Sequence, residues 1–210
     1  LSNILFLEQV LMKSKKNGIF ISFEGPEASG KSTQIILLKK YLKTNNIKFT
    51  LTREPGGTFI AEKLRKIILD NHNSLSASEE IMLLMSSRLN HINEVIKPAL
   101  SKNELIISDR FVDSTFVYQG YVNKFGMLKA IDLHKKLLDN FLPSKTFLFL
   151  LSANQILKRL KKRKIKNKYD KLDISFHRKV IQGYKKLSYN NSRFINLNAL
   201  KTVKEIHNKI

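Results

Sequence analysis

Gly25-Pro26-Glu27-Ala28-Ser29-Gly30-Lys31-Ser32 has the spacing G-x-x-x-x-G-K-[ST]. An apolar run, 19–23, leads into it and a helix-like segment, 33–42, follows. Strand, glycine-bearing loop and helix in that order make a phosphate cradle. The glycines let backbone N–H groups curl around oxygens, and the helix start adds its positive dipole end. In such a loop Lys31 reaches the outer phosphates and the Ser32 hydroxyl faces Mg²⁺. A glycine turn between strand and helix also occurs in proteins that bind no nucleotide. The complete spacing with Lys-Ser points to a nucleoside triphosphate, ATP or GTP.

On either side of this loop, apolar runs bounded by turn signals alternate with helical patterns, which predicts a parallel sheet with crossover helices. The strands are expected at 19–24, 48–52, 105–109, 145–151 and 194–197. Helices are expected at 32–44, 58–70, 78–100, 114–120, 127–140, 154–164, 174–189 and 200–210. The helix expected from Ser78 opens on a serine followed by Glu79 and Glu80, and hydroxyls and carboxylates suit a helix start because they satisfy its free N–H groups. There are no internal repeats, and the one compositionally biased segment is 158–171.

In open parallel sheets, ligands sit beyond the carboxyl ends of the strands. The polar clusters fall there. Glu24-Gly25 follows the first strand, Thr52-Arg53-Glu54-Pro55-Gly56-Gly57-Thr58 the second, and Asp109-Arg110 ends the third. Arg53 and Arg110 thus stand at neighbouring strand ends, where two guanidinium forks suit a phosphate monoester. The plainer reading of both is ion pairing with Glu54 or Asp113.

At 210 residues the chain is expected to form one domain with a single sizeable core. Residues 1–11 read as a poorly ordered upstream extension and Met12 as a natural start. No apolar run approaches the roughly 20 residues a membrane span needs. There is no cysteine, which excludes disulfides and thiolate metal sites. The net charge of +21 invites a nucleic-acid reading. However, the charge comes from 30 lysines against 8 arginines, and lysine, isoleucine and asparagine fill about a third of the chain. Those residues share A- and T-rich codons, so the charge reads as compositional bias on a solvated surface, with no specific nucleic-acid partner expected.

Three motifs occur in order: the loop 23–33, the T-R-E-P-G-G-T segment 52–58, and Asp109-Arg110-Phe111-Val112-Asp113-Ser114-Thr115-Phe116-Val117-Tyr118-Gln119-Gly120. With Arg88-Leu89-Asn90-His91 and the segment 95–100, they make the chain from 18 to 210 resemble the bacterial thymidylate kinases. That resemblance implies an α/β fold of the P-loop nucleoside monophosphate kinase type: a five-stranded parallel sheet surrounded by helices, with a helical lid at about 159–173. It implies transfer of the γ-phosphoryl of ATP to dTMP with Mg²⁺, in a cytoplasmic homodimer joined in part by the 78–100 helix.

The resemblance also implies site roles. Gly25, Pro26, Glu27, Ala28, Ser29, Gly30, Lys31, Ser32 and Thr33 would bind ATP. Arg53 and Arg110 would hold the dTMP phosphate, and Glu27 would face the sugar 3′-hydroxyl region. Ser32 and Asp109 would serve the metal, although Asp109 is equally suited to orienting Arg110. Arg88 would bind thymine, with Leu84 covering the ring where the family usually has a phenylalanine. The plainer reading of these two is a core leucine and a surface arginine. Ser114, Thr115 and Gln119 would hydrogen-bond the pyrimidine, and Tyr118 would crowd the sugar 2′ position. Because the loop carries Glu27 and no arginine, the lid arginines Arg159 and Arg163 would supply charge to the transferring phosphoryl. The usual D-R-x-E of the lid stands here as Asp170-Lys171-Leu172-Asp173, which keeps charge and loses the guanidinium fork. His91, His134 and His177 read as structural.

Overall fold

The computed structural model describes residues 18–70, 72–162, 169 and 172–210. The expected extension at 1–11 lies outside the described residues, as do Arg163, Asp170 and Lys171 of the expected lid. Five strands form one parallel sheet: β1 (Ile19–Glu24), β2 (Phe49–Arg53), β3 (Leu105–Asp109), β4 (Lys145–Leu150) and β5 (Phe194–Asn198), in the order β2-β3-β1-β4-β5. β1 is buried along its whole length because it is the central strand with both faces covered. Its side chains alternate between two cores. Ile19, Ile21 and Phe23 join Ile35, Leu38 and Leu42 of α1 (Lys31–Thr44). Phe20 packs on the opposite face with Ile106 and Phe111, and burying each such side chain stabilises the fold by about 1.5–3 kcal/mol.

The other helices follow the expected order with shifted ends. α2 (Phe59–Leu69) is capped by Thr58, whose side chain accepts from Ala61 N. α3 (Ala77–His91) starts earlier than expected: Ser76 is the N-cap and forms a reciprocal capping box with Glu79. The single helix expected at 78–100 is instead interrupted by a π-helical turn, Ile92–Ile96, before α4 (Lys97–Ser101). Pro98 explains the break, since it has no N–H for the preceding turn and its ring crowds the carbonyl there.

A second π-turn, Phe116–Val122, continues α5 (Val112–Thr115), so the helix expected at 114–120 begins earlier. α6 (Met127–Leu138), α7 (Ala153–Lys161), α8 (Ile174–Ser188) and the short α9 (Val203–His207) follow along the chain. The expected start at Leu200 fails because Thr202 and Glu205 form a capping box that sets α9 going later.

The register positions the site. Phe23 and Arg53 both pair with Asp109, so the carboxyl ends of β1, β3 and β2 finish at one level.

Candidate active site

The phosphate loop leaves β1 at Gly25, where φ is 138° and an added Cβ would stand 2.5 Å from the Phe149 carbonyl oxygen. Only glycine fits there. The Lys31 ammonium is buried inside the loop and donates to the carbonyls of Gly25 and Pro26, each at 3.0 Å. Burial, with Arg110 nearby, lowers its pKa to about 8, while Asp109, Glu27 and Glu24 act the other way. The Ser32 hydroxyl lies 3.5 Å from Asp109 Oδ2.

Arg110 joins this loop to the next cleft. Its backbone is left-handed, with φ of 70°, a conformation that costs a non-glycine residue about 1–3 kcal/mol. The Ser108 hydroxyl pins it by donating to the Arg110 carbonyl at 2.6 Å. The guanidinium donates to Gly25 O and Ser114 Oγ at 3.0 Å and to Glu27 Oε1 at 3.0 Å. Glu27 also accepts from the Tyr118 hydroxyl at 2.7 Å. Behind them Glu24 accepts from Phe111 N, Ser114 Oγ and the Tyr184 hydroxyl at 2.7, 2.7 and 2.8 Å. Burial, helped by Asp113, pushes the Glu24 carboxyl up to about 7 against the pull of Arg110 and these hydrogen bonds.

A pocket opens beside Arg110, lined by Arg53, Arg65, Leu84, Arg88, Thr115 and Gln119 among others. Arg88, expected either at the base or on the surface, is 2% exposed. Its Nε donates to Glu54 Oε2 at 2.7 Å and its Nη2 to Thr115 Oγ1 at 2.9 Å. The second Glu54 oxygen meets His91 Nδ1 at 2.9 Å, and His91 Nε2 meets Thr52 Oγ1 at 2.7 Å. Leu84 lies one helical turn before Arg88 and is buried. Gln119 donates to Glu80 Oε2 at 2.8 Å.

The plainer ion pairs, of Arg53 or Arg110 with Glu54 or Asp113, do not form. Arg53 pairs with Glu62 at 3.0 Å, while Glu54 belongs to Arg88 and Asp113 to Arg193 at 2.6 Å. Ser114 lines the pocket, with its hydroxyl engaged by Glu24 and Arg110. Arg159 donates to Ala28 O at 3.1 Å and Ala199 O at 2.7 Å, bracing α7 against the phosphate loop.

Sequence reasoning missed Arg65. It lines the pocket from α2 and donates to Pro55 O at 2.6 Å. Burial, and then the charge of Arg53, lowers its pKa. Arg53, Arg88 and Arg110 each have a carboxylate within an ion-pair distance; among the described residues no such pair involves Arg65. Its place on α2 left no motif to read.

A family model described as thymidylate kinase matches residues 23–210. The thymidylate kinase of Mycoplasma capricolum subsp. capricolum is 42% identical over 195 residues, covering 91% of this chain and 92% of its own length. That of Halothermothrix orenii is 39% identical, covering 92% and 94%, and that of Rickettsia africae 40%, covering 84% and 86%. This chain belongs to the thymidylate kinase family.

Proposed function

We infer that this chain transfers the γ-phosphoryl of ATP to dTMP, giving ADP and dTDP. The observation that carries the reading is the position of Arg110, which touches the phosphate loop at Gly25 and Glu27 while lining the pocket beside it. Two substrates bound on either side of it would meet end to end. Phosphoryl transfer asks the protein mainly for such positioning and for charge.

In this reading Lys31 stabilises the transferring group, and Arg159 and Arg163 contribute from the lid side. Arg53, Arg65 and Arg110 hold the dTMP phosphate. Glu27 faces the sugar, Tyr118 excludes a 2′-hydroxyl, Leu84 covers the base, and Arg88, Thr115 and Gln119 read its edge. Ser32 and Asp109 fit Mg²⁺, because a hydroxyl and a carboxylate close together are hard oxygen donors and this ion takes few protein ligands beside substrate phosphates. When bound, Mg²⁺ neutralises phosphate charge.

A homodimer is the proposed assembly. Phe59 and Ile60 of α2 and Met82 and Leu89 of α3 are exposed apolar side chains that a second copy would cover. No helix among the described residues is long and apolar enough to cross a membrane, and we place the enzyme in the cytoplasm as one kinase domain, with no specific nucleic-acid partner.

ADP release measured with dTMP, dCMP, dGMP and UMP tests the reading. Preference for dTMP by at least about tenfold is expected, because an unmatched polar group in a closed site is costly. Equal turnover of dTMP and dCMP would overturn it.

A further inference from the structure

Gln119 and Glu80 are both buried, at 3% and 5% exposure, and Gln119 Nε2 donates to Glu80 Oε2 at 2.8 Å. Glu80 stands in the first turn of α3, where the helix dipole favours a carboxylate. An ionised carboxylate accepts and cannot donate, so the NH₂ end of the amide faces it. The Gln119 carbonyl is left for the pocket that Gln119 lines with Arg88 and Tyr169. Tyr169 also hydrogen-bonds Gln119, and the contact favours the phenolate, as an amide N–H donated to the phenol oxygen does. The NH₂ carries two donors, one for Glu80 and one for Tyr169, which leaves the carbonyl to the pocket.

We propose that Glu80 is a positioning residue that sets base selectivity by holding the Gln119 amide as an acceptor toward the pyrimidine. The proposal rests on the reading of this pocket as the dTMP site. Thymine presents an N3–H donor beside an O4 acceptor, whereas cytosine presents an N3 lone pair beside an N4 donor. A carbonyl at Gln119 and a guanidinium at Arg88 match thymine. A turned amide would set N–H against N–H and welcome cytosine.

The test measures kcat/KM for dTMP and dCMP with the full chain. Glu80→Gln frees the amide to turn, so the dTMP:dCMP ratio should fall about tenfold, mainly through the dTMP KM, with the ATP KM unchanged. The double exchange Glu80→Gln/Gln119→Glu restores an acceptor-only group beside the base and should return the ratio to within about threefold of the original. An unchanged ratio in Glu80→Gln, or a fall that the exchange does not repair, overturns the proposal. If Glu80→Gln does not fold, the exchange variant decides alone by the same threefold limit. Gln119→Ala separates the two levels of inference. A fall there without one in Glu80→Gln defeats only the role of Glu80, and no fall in Gln119→Ala defeats the reading of the pocket.

Discussion

The phosphate loop and the proposed acceptor pocket both rest on buried cations, yet they hold them differently. Lys31 is gripped by carbonyls five and six residues away, and among the described residues no carboxylate pairs with it. Arg88 is gripped by Glu54 and Thr115, 34 and 27 residues away, and Glu54 neutralises it. The difference suits the proposed ligands. A triphosphate needs uncompensated positive charge, whereas a neutral base needs a fixed pattern of donors. Within the pocket Arg65 resembles Lys31 in having no ion pair among the described residues. Arg53 and Arg110, proposed for the same phosphate, are paired with Glu62 and Glu27, so pairing alone does not separate a phosphate site from a base site.

Breaking the neutralised pair should have the largest effect. Glu54→Ala leaves Arg88 charged and buried, so urea unfolding should show a loss of about 3–5 kcal/mol. A loss below about 1 kcal/mol would mean that Arg88 finds water or another partner. At the junction of the two regions, Glu24 should make stability pH-dependent. Its folded pKa is raised, to about 7, so its contribution is intact below its ordinary value of 4.5 and is lost as pH rises through 7. Relative to Glu24→Gln, the parent chain should lose about 3 kcal/mol between about pH 4.5 and pH 8; a constant difference across that range would refute the shift.

Lys31→Ala should lower kcat by roughly a hundredfold or more without the stability loss of Glu54→Ala, since it removes a buried charge and strands no paired carboxylate. Destabilisation equal to that of Glu54→Ala would erase the contrast. The smallest effect is expected at Leu84. Leu84→Phe adds a stacking contribution of about 0.5–1.5 kcal/mol, read as a lower dTMP KM with ATP affinity unchanged. No change in dTMP KM would make Leu84 a core residue alone.

The sequence by itself determined the order of strands and helices, the phosphate loop and the strand-end placement of Arg53, Asp109 and Arg110. These depend on short-range features: apolar runs, glycine spacing and the parallel-sheet rule that puts polar loops at the carboxyl ends. Local patterns also located Leu84 and Arg88 on one helical face. They did not show the π-turn before Pro98 or the Ser76 cap, because both depend on how individual backbone groups find partners. Only the tertiary structure decided which arginines are neutralised, that Arg65 joins the pocket, and that Glu80 faces Gln119 and Arg193 faces Asp113. Those choices are made by side chains from segments far apart in the chain, and the energy of a buried charge depends on which partner stands within a few ångströms of it.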